Sequence, residues 1–599
     1  MKKLLLIVAV IMVIMSFGFM AYAADWPQFQ NNQYNSGIIS EAPPTTTPSS
    51  ASVHLEHGGF FGIDSTPIFV TPPSSTTGFV YVFPFQHIYE CYRNGSNLTI
   101  NASETVDIGG FQLCTPASDG SSIFLGVNTH FNQTKNKDFT TSLADWTTGS
   151  NAGSPEFSQA TESGKTCAKI YENDVVDGDG YLEQTVRVPL ASNVRLAFSF
   201  LQKYTGSAPA QHDVKVMVKR EGTSTWNTIY TTSSAIYNDW VPVNENISNT
   251  YFPYSNQNYT VRFVFDYQPA SGSTATCCFT DCQIIAQSMG LKKVTGLGTG
   301  TLDVDHNFCN LKESGQANTP LKYYQNTTGS YLLLGNYTSS TGAKYFCINA
   351  ANGTKKWEYT NGAPSGYYWA GAAVVNDAAI FGDEDGKVHV VMLEPDSNGN
   401  AVEVDQDPAT PGIQPYDINA SSSAHIRTTI NYYDVPGTNE DKLYVVDYDG
   451  YLYQLNYNSS THIITSGGAG VRASGVNYST SSPVRIDDCV FYGAGGLSVS
   501  RISGGNLQTP VSIGTGIGKV QASPVVYKAD DYNYYIYVTE NSRSGNAYCV
   551  HYYYDADDSC WYSQNRWTFS SGNYTLQGFA AANGDLYFGN DSGYLYALY

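Results

Sequence analysis

The chain has little charge, and least of the positive kind. Only 14% of its 599 residues are Asp, Glu, Lys or Arg, and 31 basic residues face 52 acidic ones, a formal charge of −21. A surface so poor in Lys and Arg has no footprint for a phosphate backbone or an anionic membrane, which argues against nucleic acid and lipid headgroups as partners. Beyond Met20 no apolar run is long enough to span a bilayer. Catalytic signatures are missing too. There is no Gly-x-Ser-x-Gly elbow, no His-Glu-x-x-His pair and no phosphate-binding glycine loop, so lipase, zinc-protease and nucleotide-binding readings have no support. Haem attachment through Cys-x-x-Cys-His and zinc knuckles of paired Cys-x-x-Cys are likewise absent.

What is present begins with a processing signal. Lys2 and Lys3 precede an apolar run from Leu4 to Met20, and Ala21-Tyr22-Ala23 supplies a small-x-small cleavage pattern. Residues 1–23 therefore read as a secretory signal, and no cysteine near the cleavage point offers a lipid anchor. The mature chain is expected to be secreted, free or held at the cell surface, with a charge of −23 once Lys2 and Lys3 are removed from the −21 total. Eleven cysteines suit an oxidising compartment. Structural disulfides are expected, with Cys549 and Cys560 facing each other across a hairpin and the odd cysteine left unpaired or paired between chains. Sequons from Asn94 to Asn590 fall largely at turns, where a glycan would stand exposed.

Tyr-rich strand pairs recur along most of the chain. Lys442-Leu-Tyr-Val-Val-Asp-Tyr-Asp-Gly-Tyr-Leu-Tyr453-type segments repeat at 379–391, 442–455 and 585–598, each a strand, an Asp/Asn/Ser-Gly turn and a strand. First strands are announced by a small polar residue, Pro and an apolar residue, as in Ser65-Thr-Pro-Ile68, Asn318-Thr-Pro-Leu321 and Ser523-Pro-Val-Val526. Pro is tolerated there because a strand start needs no ladder donor. Short strands at regular spacing without a helical period mean an all-β chain, and one small sheet cannot bury both its faces, so neighbours must stack around an axis. Units fall near 60–105, 106–310 (interrupted), 315–360, 366–415, 420–465, 476–512, 518–569 and 571–599. This predicts an eight-bladed β-propeller, with seven blades as the alternative. The last unit is one strand short, and a strand near Val53-His-Leu-Glu56 is expected to complete it and remove an open edge.

The interruption spans 135–288 and reads as a β-sandwich inserted in an early blade. Val194-Arg-Leu-Ala-Phe-Ser-Phe200 and Tyr259-Thr-Val-Arg-Phe-Val-Phe265 alternate apolar and polar residues, as half-buried strands do. The predicted organisation is thus 1–23 signal, 24–52 entry segment and Pro/Thr linker, 53–134 with 289–599 propeller, and 135–288 jelly roll. Two sites in the insert are candidates. Asp174, Asp177 and Asp179, with Asp281 at the far end, cluster hard oxygen ligands on Gly-bent backbone and suit a structural calcium. Trp226, Trp240, Tyr251 and Tyr254 supply aromatic faces on which a sugar ring could stack.

The propeller resembles the pyrroloquinoline-quinone-like (quinoprotein alcohol dehydrogenase-like) repeat family. The resemblance is carried by Ile348-Asn-Ala-Ala-Asn-Gly-Thr-Lys-Lys-Trp357, similar to that family's docking motif, and by Asp25-Trp-Pro-Gln-Phe-Gln30 with Asn35-Ser-Gly37, similar to its entry segment. It implies that Trp357, and Trp567 at a second such position, pack between adjacent blades. The insert resembles the concanavalin-like and galactose-binding-like jelly rolls of secreted proteins. Enzymes of the repeat family hold a quinone and calcium on the axis, commonly under a vicinal disulfide. Cys277-Cys278 is the one local echo, without a matching Glu, Asn and Asp set. The expectation is a non-catalytic scaffold without a cofactor, binding extracellular glycans or surface proteins. The alternatives are a quinone-dependent dehydrogenase and an envelope assembly scaffold that binds protein strands.

Overall fold

In a computed structural model the protein is described over residues 25–599, except 27, 57–61, 85, 107–113, 151–155, 174–177, 192–193, 207–210, 233–236, 269–271, 339–341, 361–365, 411, 419–424, 439 and 474–477. Every regular element among the described residues is a strand, and no helix is long and apolar enough to cross a membrane. The chain forms two compact units: 25–127 with 291–308 and 316–599, and 128–290 with 309–315.

The first unit is a β-propeller. Small antiparallel sheets lie at 68–105 (blade 1), 117–132 with 274–313 (blade 2, whose longer strands continue into the second unit), 322–359 (blade 3) and 373–417 (blade 4). Four more lie at 431–466 (blade 5), 484–512 (blade 6), 525–570 (blade 7) and 580–598 (blade 8). Successive blades share hydrophobic cores. Tyr345, Trp357 and Phe381 join blades 3 and 4, while Val390, Leu443 and Tyr457 join blades 4 and 5. Tyr444 and Tyr492 join blades 5 and 6, and Phe491 and Ile536 join blades 6 and 7. Trp357 shows how such a joint is locked. It is buried, and its indole N–H donates to the Leu393 carbonyl of the next blade at 2.9 Å. An indole satisfied across a joint fixes the spacing of two sheets as well as burying its rings.

The circle closes with strands from both ends of the chain. Ser50–His54 lies antiparallel to Tyr594–Leu598, with Ser50 opposite Leu598 and His54 opposite Tyr594. The closing strand thus begins three residues earlier than the predicted Val53. It pairs where it does because the outermost strand of blade 8 would otherwise expose an unpaired edge. Blade 8 is tied in turn to blade 1 by the Arg93 guanidinium, which grips both Asp585 oxygens at 2.5 and 3.1 Å. Asp64, entering blade 1, meets Asp591 of blade 8, and burial with that like charge pushes Asp64 up to about 7.

The entry segment is the least expected part of the fold. Asp25–Ile39 does not lie outside the circle but runs across its axis, bonding first strands of several blades. Trp26 and Phe69 exchange backbone hydrogen bonds at 2.9 Å in blade 1. The Gln28 side-chain oxygen accepts from Tyr323 N of blade 3 at 3.0 Å. Backbone carbonyls of Gln33, Tyr34 and Gly37 accept from Val374 of blade 4, Tyr432 of blade 5 and Val526 of blade 7. Ile38–Ile39 then adds a short parallel strand to blade 7. Gly37 has φ +61 and sits so close to Val484 of blade 6 that a Cβ would lie 2.5 Å from it, so only glycine fits.

Asn35 is the centre of this network. Fully buried, its amide donates to the carbonyls of Ala372 at 3.1 Å and Ile430 at 2.8 Å, and its backbone carbonyl accepts from Asn431 at 2.8 Å. Its side-chain oxygen accepts from the Lys322 ammonium at 2.5 Å, which also donates to Asn32 O at 2.8 Å and Phe29 O at 3.4 Å. Lys322 is fully buried among these neutral oxygens, and that burial pulls its ammonium down to about 7. Around it the hydroxyls of the strand-start motif form a belt. Ser482 Oγ accepts from Thr429 N at 2.8 Å, and Ser523 Oγ accepts from Ser482 N at 2.9 Å, which stitches blades 5, 6 and 7.

The Asp-x-Asp-Gly hairpins are turn chemistry. Asp383 Oδ1 accepts from the backbone N–H groups of Asp385 and Lys387, and Asp447 Oδ1 from that of Tyr451, with Gly386 and Gly450 at φ +78 and +82. The expected cross-hairpin disulfide is not formed. Cys549 is buried opposite Trp567, whereas Cys560 is exposed opposite Asp555, so the strand register separates them. None of the eleven cysteines is joined in a disulfide.

Lys322 couples the stability of the fold to pH. Its folded-state value of about 7 lies below the unfolded reference of about 10.4. Between these values the unfolded chain binds the extra proton, so this lysine's contribution to stability rises with pH from 7 to 10 and is flat below 7. Urea unfolding of Lys322→Met is expected to lose that slope, changing the wild-type-minus-variant difference by up to about 4 kcal/mol across the range. Parallel pH profiles for the two proteins would contradict it.

Candidate functional site

The second unit is a two-sheet sandwich. One sheet runs Ser158–Glu162, Lys165–Asn173, Thr274–Thr295, Val194–Thr205 and Tyr237–Ile247, and the other Asn227–Thr232, Gln211–Arg220, Gln257–Gln268, Gly178–Val188 and Thr147–Ser150. Alternation decides the faces. Val214, Val216 and Val218, with Val261, Phe263 and Phe265, are buried, and Phe198, Phe263 and Phe279 meet at centroid distances of 5.3 to 6.1 Å in the core. The intervening residues must face outward.

On the outer face of the second sheet those outward residues form an aromatic and charged platform. The Arg262 guanidinium lies 3.8 Å over the Tyr181 ring and 4.2 Å over the Trp226 ring, held between them. Glu183 fixes it with bonds of 2.9 and 2.6 Å from Nε and one terminal nitrogen. Lys219 stands 4.7 Å over Trp226. Gly149, paired opposite Tyr181, leaves room for this ring, since a Cβ there would meet it at 2.3 Å. Two half-exposed rings spaced by a neutralised cation make a flat surface with polar groups at its rim, suited to an apolar sugar face and its hydroxyls.

The four aromatic residues picked out by sequence do not form one site. Trp226 belongs to this platform. Trp240 lies on the other sheet, packed against Cys167, Leu201 and Cys278, with its N–H donating to Glu162 O at 3.3 Å. Tyr251 packs against the core, and Tyr254, 51% exposed, lies beneath Arg220 at 4.3 Å. Tyr181, Glu183 and Arg262 were missed by the sequence reading. The signal available was the shared outward parity of Tyr181 and Glu183 in one strand and of Arg262 in its neighbour.

Of the calcium candidates, Asp174 and Asp177 lie outside the described residues. Asp179 is adjacent to Glu172, whose carboxyl burial and Asp179 itself push up to about 7, and to Lys215. Asp281 is engaged elsewhere, in an ion pair with Lys137 at 3.0 Å. Among the described residues no group of three His, Cys, Asp or Glu side chains is placed to hold a metal ion. Cys277 and Cys278 are both buried thiols, and Cys278 hydrogen-bonds with Cys167.

No family model matches the chain, and no curated protein is similar to it. Among solved structures, the chain is similar to a carbohydrate-binding module, TmCBM61 in complex with β-1,4-galactotriose, at 14% identity and a TM-score of 0.19 over 26% of this chain and 99% of that one. It is also similar to Sqt1 of Saccharomyces cerevisiae, at 9% identity and a TM-score of 0.31 over 84% and 96% of the two chains. The WD40 β-propeller domain of Doa1 follows at 11% identity and a TM-score of 0.28 over 52% and 86%. Scores of this size carry no functional argument, and the architecture stands on the sheets themselves.

A platform residue should be cheap to remove and a core residue costly. The double variant Tyr181→Ala with Trp226→Ala is expected to cost less than about 1 kcal/mol, as outward substitutions do. Trp146→Ala, which empties a buried site and orphans the carbonyls of Lys135 and Asn136 that its N–H now serves at 3.1 Å, is expected to cost about 3 to 5 kcal/mol. Urea unfolding monitored by circular dichroism measures both, and equal losses would contradict the assignment of faces.

Proposed function

We propose that the protein is a secreted, non-catalytic propeller of the quinone-repeat type that presents its sandwich for extracellular glycan recognition, and so acts in binding or adhesion at the cell surface. The observation that carries this reading is the Tyr181–Arg262–Trp226 platform. Its cation is already neutralised by Glu183, so the surface offers stacking faces rather than net charge. The Trp357 joint supports the repeat type. Binding is favoured over quinone-dependent oxidation because Asp25–Ile39 occupies the axis where the resembled enzymes hold their quinone. A quinone there would have to displace the buried Asn35 network.

The test is a glycan array probed with the full chain, followed by titration of the best ligand. Trp226→Ala is expected to weaken binding at least tenfold, consistent with about 1 to 3 kcal/mol per stacked ring. An unchanged number and affinity of binding events in that variant, or no glycan bound by the wild type, would overturn the sandwich as a glycan site. Dye-linked alcohol oxidation after addition of quinone and calcium would instead establish the redox alternative.

A further inference from the structure

The first unit has an aromatic surface of its own, independent of the sandwich. In an antiparallel blade, the loop that enters the first strand lies at the same end as the turn joining the second and third strands. Residues 366–371, 425–429, 478–481 and 519–523 enter blades 4, 5, 6 and 7, while Tyr337 and Tyr448 stand where the second strands of blades 3 and 5 end. These loops place their rings in a crescent. Tyr337 meets Tyr368 edge-on at 5.0 Å, and Tyr368 lies 4.8 Å from Trp369. Arg427 bridges the middle, 5.1 Å over Tyr368 and 4.4 Å over Tyr448. Tyr448 meets Tyr478 at 6.0 Å, and Lys519 caps Tyr478 at 5.4 Å. All five rings are half-buried, with part of each left to solvent.

At the inner edge of the crescent is a recess lined by Phe29, Thr115, Trp369, Ser482, Gln521 and Ser523. Its enclosed volume is ≈ 20 Å³, room for one hydroxyl group or water and not for a ring. Its walls hold polar atoms that lack protein partners. Thr115 Oγ1, in a residue only 1% exposed, and the Trp369 indole N–H are both buried without a hydrogen bond among the described residues. Outside the recess, the Tyr478 hydroxyl of the crescent is buried and unbonded among the described residues as well. Leaving such groups unpaired is unfavourable, and a ligand hydroxyl would recover that loss. The charge of Arg427 is spent, because Glu384, 2% exposed in its side chain, takes its Nε and one terminal nitrogen at 2.8 and 2.7 Å.

We propose that this crescent binds a neutral saccharide, with a pyranose face on the aromatic rings and one of its hydroxyls inserted in the recess against Thr115 and Trp369. Open rings, unpaired neutral donors and acceptors, and an internally compensated cation favour a polyhydroxylated ligand over an anion or a charged peptide.

The full chain is titrated calorimetrically with a panel of defined neutral oligosaccharides and their uronic-acid counterparts. The wild type is expected to bind a neutral member. Trp369→Phe, which keeps a ring but removes the N–H, and Thr115→Val, which keeps the size but removes the hydroxyl, are each expected to weaken that binding about three- to tenfold with an unchanged unfolding midpoint. Tyr478→Ala is expected to weaken it tenfold or more, and Trp226→Ala to leave this binding event in place. Loss of all neutral-saccharide binding in Trp226→Ala, with none in the crescent variants, would overturn this site while supporting the sandwich. Binding of uronates alone, suppressed by salt, would overturn the neutral assignment, and no saccharide binding at all would overturn both sites.

Discussion

A buried ammonium held by neutral oxygens is the constraint around which the propeller is arranged. Among the described residues no carboxylate compensates Lys322, and its partners are carbonyls of Phe29 and Asn32 and the amide oxygen of Asn35. Removing any of these acceptors leaves a desolvated donor, and the cost is far larger than the value of a surface contact. Asn35 is therefore fixed, and because its remaining groups bond Ala372, Ile430 and Asn431, the first strands of blades 4 and 5 are fixed with it. The entry segment thus acts as an internal template for a ring that its outer strands close separately at Ser50–His54. Two devices at opposite radii, a polar one at the axis and a strand ladder at the rim, hold the same ends of the chain.

This arrangement determines where function can reside. Asp25–Ile39 lies across the axis, bonded to first strands of blades 1, 3, 4, 5 and 7, and the aromatic surfaces lie on the loops of the ring and on the sandwich. Both carry the same chemical theme. On the sandwich, Tyr181 and Trp226 hold Arg262, and Glu183 neutralises it; on the propeller, Tyr368 and Tyr448 hold Arg427, and Glu384 neutralises it. An arginine stacked between rings and paired with a carboxylate keeps aromatic faces apart and rigid without leaving net charge. A chain with only 31 basic residues uses two of its arginines in this way, which fits the proposed recognition of uncharged ligands better than electrostatic capture.

Much of the architecture was legible from local pattern. Strand, Asp-Gly or Ser-Gly turn and strand at 442–455 and 585–598 marked hairpin positions, because glycine at positive φ and period-two alternation are local properties. The closing strand was legible to within three residues for the same reason: an incomplete final sheet requires an edge partner. The axial role of Asp25–Ile39 was not, since nothing in that stretch has a strand period and its partners at Lys322, Ala372 and Ile430 are remote in sequence. Sites were harder still. Trp226 was identified as a ring but its companions were not, because a platform depends on which strands become neighbours. Trp240, of the same type, was placed on the other sheet against a cysteine-lined cluster. The pairing of Cys549 with Cys560 failed on register alone, since Cys549 lies opposite Trp567.

The most direct test of the axial template is the unfolding of a chain beginning at Glu41, which keeps the closing strand and lacks the segment across the axis. Urea transitions of this chain and of the chain beginning at Asp25 are compared by fluorescence and circular dichroism. The account predicts a lower midpoint and non-coincident transitions in the shortened chain, as the first strands of blades 3 to 5 lose their shared partner while the rim stays paired. A single transition with the midpoint and steepness of the longer chain would contradict it.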